Sequence, residues 1–269
     1  MYLSRPARIA LRVFTALVLV WLYAPILYVA RLSVNTAKNY AWPPEGFTLQ
    51  WWRDAFHEEG PRIALLHSVQ TGLWATAIAL VLGTMMAFAL SRHRFFGQHA
   101  VSLAVVLPIA LPGIVTGIAL LSAFQRAGIE LSVMTLVVAH ATFCVVIVFN
   151  NVGARLRRVA GNAAEASADL GADGFQTFRY VTFPLIRSAL LGGALLAFAL
   201  SFDEIVVTTF TTGVGYKTLP LWFADNFARP NAITTVNVVA TFVVLASIIP
   251  VYIAQRLIDE PVEPGAAVT

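Results

Sequence analysis

Six long apolar runs constrain what this chain can fold into. They lie near Ile9–Ala30, Ile63–Leu90, Ala100–Ala123, Leu131–Gly153, Ile186–Thr209 and Ile233–Leu257. A helix of about 20 apolar residues crosses ~30 Å of hydrocarbon, so each run can span a membrane, some with tilt. Composition agrees: 58% of the 269 residues are hydrophobic and 12% are charged, where a soluble domain carries about 25% charged residues. With a mean hydropathy of +0.76, an ordinary soluble globule is excluded, and so is a disordered chain. Alternating strands of about ten residues, the mark of a membrane barrel, are absent. The expected fold class is an all-α membrane protein: six transmembrane helices forming one domain over residues 1–269, with a polar loop at 154–185.

Charge placement gives the orientation. Arg5, Arg8 and Arg12 precede the first run, whose apolar core exceeds the ~7–15 residues of a secretory leader, so it reads as an uncleaved anchor. With the N-terminus inside, eleven of the 18 Lys and Arg residues fall on the inner side, and Arg155, Arg157 and Arg158 are the strongest element. That bias predicts a multi-pass protein with both termini cytoplasmic. The net charge of +4 is thus a topology signal, and nucleic acid is not an expected partner. On the outer side, Phe47, Trp51, Trp52 and Phe56 recur at helical spacing and predict a short helix lying on the membrane surface. The single cysteine, Cys144, rules out a disulfide framework or a cysteine-based metal cluster.

The loop between the fourth and fifth runs predicts two short helices at an angle. Asn162 with Glu165 three residues on forms a capping-box pattern for the first, and Gly171 suits the left-handed position that ends it. Asp173 with Gln176 repeats the cap for the second, and Pro184 fits the first turn of the fifth span. The product is a rigid knob outside the membrane.

This loop resembles the EAA loop of permease subunits in ATP-binding-cassette importers. The family pattern is Glu-Ala-Ala, three residues, Gly, nine residues, Ile-x-Leu-Pro. Here it reads Glu165-Ala166-Ser167, then Gly171, then Val181-Thr182-Phe183-Pro184, with the spacing intact. Asn150-Asn151, Ser201 to Thr208, Thr218-Leu219-Pro220 and Arg229-Pro230-Asn231 extend the resemblance to the spermidine/putrescine permeases, and within them to the second permease subunit. Relatives of that type also handle aminoalkylphosphonates and γ-aminobutyrate. The resemblance implies a type I importer transmembrane domain in a bacterial inner membrane. It also implies coupling through Glu165, Ala166, Gly171, Asp173 and Phe175 to a cytosolic ATPase dimer. A second permease chain and a periplasmic or extracellular substrate-binding protein complete the expected partners, besides membrane lipid. No phosphate-binding Gly-x-x-x-x-Gly-Lys-Ser/Thr loop occurs in the sequence. The chain is therefore expected to be no enzyme and to carry no cofactor itself, with ATP and magnesium bound by the partner ATPase.

Asp203 and Glu204 are the acidic pair within the fifth run. An ionised carboxylate at mid-span costs ~2.5 kcal/mol or more, so such residues face protein or a water-filled cavity. One of them, with Asp203 favoured, is a candidate to attract a cationic amine; the alternative is that one caps a broken helix. Asn150 and Asn151 read either as hydrogen-bonding glue between helices or as substrate contacts. His140 reads as a core histidine rather than a ligand. Pro108 and Pro112 predict a kinked or unwound third span, Gly192-Gly193 a close helix approach, and Trp222, Phe223 and Phe227 a re-entrant or interfacial segment. Two transport classes remain at this level: an ATP-driven importer subunit, and a self-sufficient secondary transporter or channel driven by ion gradients.

Overall fold

Helices follow the apolar runs, and their ends follow proline, glycine and capping side chains. The computed structural model describes residues 4–38, 43, 45–92 and 96–258. In chain order the helices are α1 (Arg5–Leu32), α2 (Gln50–His57), α3 (Glu59–Arg92), α4 (Gln98–Ala110), α5 (Gly113–Arg126) and α6 (Val133–Asp169). They continue with α7 (Gly174–Thr177), α8 (Phe183–Phe202), α9 (Val206–Thr211), α10 (Leu219–Asn226) and α11 (Ile233–Ile258). Five helical stretches are long and apolar enough to cross a membrane, and the pair α4–α5 makes a sixth if counted as one bent span.

That pair settles the fate of the third run. The kink expected at the prolines is a full break at Leu111–Pro112, and the two helix axes turn by 108°. Proline excludes the preceding residue from helical geometry, and Leu111 is accordingly extended, with ψ 147°. Pro108, by contrast, lies inside α4 without ending it.

The chain divides into two compact units. The first comprises residues 1–62 with 223–250. In it, α1 buries only Leu32, at its end, and leaves its apolar side chains before Val29 exposed. The expected short aromatic helix is present as α2, and it is pinned to its neighbours. The Trp51 indole donates to the Asn35 carbonyl at 2.7 Å and that of Trp52 to Ser33 Oγ at 3.3 Å. Phe56 meets the Phe242 ring edge-on at 5.2 Å, and the Thr235 hydroxyl donates to Glu58 Oε1 at 2.9 Å. Trp51, Trp52 and Phe56 thus hold α2 against its neighbours, while Phe47 is 72% exposed.

The second unit, residues 63–222 with 251–269, is built around α6. Cys144, Val148, Val152 and Leu156 repeat every four residues down one face of it, and all are buried. Alanines face them from α3 (Ala75, Ala79, Ala87), which lets the two backbones approach. Gly83 marks the closest point: a Cβ there would lie 2.9 Å from the Val145 carbonyl oxygen and 3.0 Å from the Phe149 amide nitrogen. Both are backbone atoms of a packed helix and cannot swing aside.

Gly83→Ala is therefore expected to destabilise the protein by about 1–3 kcal/mol, the usual cost of an overpacked contact. Gly192, where a Cβ would meet nothing within 4 Å, is the matched control. Thermal unfolding of the purified protein in detergent checks it: an unchanged midpoint in Gly83→Ala would contradict the α3–α6 contact.

Candidate functional site: a helical elbow and a broken span

The loop at 154–185 is an elbow between two long helices rather than two separate short helices. No residue after Val152 breaks the helix, so α6 runs on to Asp169, through residues 159–162. The side chain of Asn162, the expected first cap, lies outside the described residues. Thirty-seven residues give α6 a length of about 55 Å, well beyond the ~30 Å of a hydrocarbon core. Its far end stands clear of the membrane.

Gly171 then turns the chain, as expected. Its φ of +83° is left-handed, a region that costs other L-residues about 1–2 kcal/mol. The Gly171 amide bonds the Ala168 carbonyl at 2.9 Å and the Ala172 amide bonds that of Ser167 at 3.1 Å, which completes a Schellman ending. Asp173 caps α7 as its spacing predicts. The Gln176 amide donates to Asp173 Oδ1 at 2.8 Å, and the Asp173 amide donates to Gln176 Oε1 at 3.0 Å. A buried pair of hydroxyls, Ser167 Oγ and Thr177 Oγ1, 3.0 Å apart, ties the two arms together. From α7 the helix continues through a widened π turn, Phe178–Thr182, into α8, with Pro184 in the first turn of α8. The wide turn falls just where the Pro184 ring would meet a carbonyl one turn back.

The elbow brings all five expected coupling residues to one exposed tip: Glu165, Ala166, Gly171, Asp173 and Phe175 are all exposed. Leu170 and Tyr180, 89% and 70% exposed, are with Phe175 at 71% the most uncovered large apolar groups of the elbow. Sequence reasoning passed over Leu170 because a leucine reads as helix body. Its position just before the terminating glycine was the available signal.

The fifth span ends earlier than expected. α8 stops at Phe202, and Asp203, Glu204 and Ile205 separate it from α9. The acidic pair thus lies in a helix break and not within a continuous helix. Glu204 takes the capping role held open above: its Oε1 accepts from the Val207 amide at 2.9 Å. The Asp203 carboxylate is exposed and makes no hydrogen bond or ion pair among the described residues. His140, fully buried on α6, bridges the break. Its Nδ1 is 2.7 Å from Ser201 Oγ on α8 and its Nε2 is 2.9 Å from Thr208 Oγ1 on α9. Thr208 gives its one hydroxyl proton to the Glu204 carbonyl at 2.7 Å. It must then accept from Nε2–H, and Ser201 donates to Nδ1. His140 is the satisfied core histidine that the sequence implies.

The two helix breaks adjoin. Gly113, directly after Pro112, packs on Val206, the first residue of α9; a Cβ on Gly113 would lie 3.6 Å from Val206 Cβ. Discontinuous helices in membranes are tolerated where protein or a water-filled cavity receives the freed backbone groups.

Asn150 and Asn151 lie elsewhere, beside a groove of about 450 Å³ between α6 and α8 that also exposes Arg155, Arg158 and Ser188. Asn151 Nδ2 donates to the Ile147 carbonyl of its own helix at 2.9 Å. Of the aromatic segment before α11, Trp222 is buried within the short helix α10 while Phe227 is 70% exposed.

Residues 79–263 match the family described as binding-protein-dependent transport system inner membrane component. The spermidine/putrescine transport system permease protein PotC of Haemophilus influenzae is 33% identical over 244 residues, which covers 91% of this chain and 94% of PotC. The putrescine transport system permease protein PotI of Escherichia coli is 31% identical over 245 residues, covering 88% of this chain and 86% of PotI. Among solved structures, one of a bacterial ABC transporter involved in the import of the acidic polysaccharide alginate shares the fold. Its TM-score is 0.67 over 96% of this chain and 98% of that one, at 17% identity. The type I importer fold expected from the elbow loop is the fold found. The chain belongs to the family of inner-membrane permease components of binding-protein-dependent transport systems.

Proposed function

We propose that this chain forms half of the translocation path of an ATP-driven importer for a polyamine or a similar small amino compound. The observation that carries the reading is the elbow: a capped, hydroxyl-tied turn on the end of a helix of about 55 Å, with Leu170, Phe175 and Tyr180 uncovered on the elbow. A stiff projection with an apolar tip suits a docking groove on another protein. The relatives named for spermidine and putrescine transport support the substrate class.

In this reading both termini and the elbow are cytoplasmic, and the elbow docks on an ATPase dimer whose chains bind ATP and magnesium. A second permease chain lies opposite, and a substrate-binding protein delivers cargo from outside. Closure of the ATPase dimer moves the elbow as a rigid body. The motion passes along α6 to His140, which holds both sides of the break that exposes Asp203. That carboxylate, at the carbonyl end of α8, offers a cation two favourable partners: its own charge and the negative end of the helix dipole. A lone weak site of this kind suits transport, where release matters as much as capture. Alternating access then exposes the path first outward and then inward, as ATP binds and is hydrolysed.

Three outcomes test this. Purification in mild detergent should recover the chain in a stable complex with an ATPase, and the reconstituted complex should import putrescine only with ATP. Import by the lone chain, driven by a proton or sodium gradient, would instead establish a secondary transporter. Gly171→Trp, which puts a bulky side chain at a left-handed position on the docking tip, should lower transport at least tenfold and uncouple it from ATP hydrolysis. Wild-type coupling in that variant would defeat the docking reading. Asp203→Asn should reduce amine uptake while the complex still assembles and hydrolyses ATP; undiminished uptake would remove Asp203 from the path.

A further inference from the structure

The groove between α6 and α8 carries chemistry that the importer reading does not use. Asn151, Ala154, Arg155 and Arg158 stand at i, i+3, i+4 and i+7, a single stripe of α6, and Ser188 faces them from α8. The groove opens because the helices meet above it at Gly193, where a Cβ would lie 3.6 Å from Asn151 Cβ. Below, Arg155 Nε donates to the Leu185 carbonyl at 2.8 Å, which fixes that guanidinium in place. Its two terminal amino groups, and the whole guanidinium of Arg158, make no hydrogen bond or ion pair among the described residues. Among the described residues, no acidic side chain lines the groove. Two positive charges, one of them held in place, with amide and hydroxyl groups beside them suit a phosphate group and repel a polyamine.

Position identifies what presents the phosphate. The groove sits where the apolar stretch of α6, Val133–Arg158, comes to its end, at the level of a headgroup. From Ser188 and Ala189 the same face of α8 continues through Gly192, open to at least 4 Å, to Leu196, 55% exposed. This apolar track leads from the charged groove toward the middle of the membrane. A free phosphate has no use for it; an acyl chain does. Basic pockets between membrane helices on the cytoplasmic side hold anionic headgroups by the same physics.

We infer that this groove binds an anionic glycerophospholipid, with the headgroup phosphate on Arg155, Arg158 and Ser188 and an acyl chain along Gly192 and Leu196. The inference is independent of which amine is carried. The test uses the complete importer complex, freed of lipid and titrated with dioleoylphosphatidylglycerol or dioleoylphosphatidylcholine, with bound lipid counted by native mass spectrometry. The parent complex should retain phosphatidylglycerol and release phosphatidylcholine. R158Q should weaken phosphatidylglycerol retention about tenfold, the loss of one charge-assisted contact, and R158K should recover most of it. Millimolar inorganic phosphate should not displace the lipid. Equal retention of both lipids, unchanged retention in R158Q, or displacement by free phosphate would each overturn the inference. So would R158Q separating the two permease chains with lipid counts unaltered, since the groove would then hold a carboxylate of the partner chain.

Discussion

Backbone groups freed inside a membrane must find partners, and this requirement governs the second unit. Two of its long apolar stretches are interrupted, one by Pro112 and one at Asp203–Ile205. At the latter the Glu204 carboxylate takes the orphan amide of Val207, and His140 joins hydroxyls on either side. Removal of the imidazole would orphan the buried Ser201 hydroxyl and leave Thr208 with only its bond to the Glu204 carbonyl, and an orphaned group costs ~1–3 kcal/mol. The break is therefore not a weak point. It is held open at a fixed geometry by a neighbouring helix that never breaks.

That neighbour is also the elbow's shaft. About 29 residues separate His140 from Asp169, some 44 Å of uninterrupted helix. A helix transmits displacement along its axis far better than a loop does, because every residue is locked to the one four behind it. Separate coupling helices, as the loop composition alone implies, would interpose a flexible joint. The continuous α6 leaves Gly171 as the one sharp turn between the tip and the span. Even that turn is closed by a Schellman ending, a capping box and a hydroxyl clasp.

Much of this was legible in the residues. Apolar runs gave the spans, because hydrocarbon length is a hard requirement. Gly171, Asp173 and Gln176 declared the turn, because caps act through neighbours three residues away. What escaped depended on distant partners. The reach of α6 through 159–162 is decided by the absence of a breaker, and a possible cap at Asn162 does not compel a helix to start. The break after Phe202 has no proline or glycine to announce it, and the sequence left it as one of two readings; the bonds that hold its two sides come from His140, sixty-one residues before Ser201. Asp203 and Glu204 look equivalent in sequence and part company only when one of them finds the Val207 amide.

Leu170 has a consequence for how a cell must handle this polypeptide. A leucine 89% exposed, with Phe175 and Tyr180 also uncovered on the elbow, leaves it greasy until something covers it. A copy inserted without its companion would offer that patch to chaperones, proteases and other orphans. Under the proposed docking role, balanced synthesis of the subunits would follow from surface chemistry: the patch that engages a partner is also the one that betrays an unassembled part.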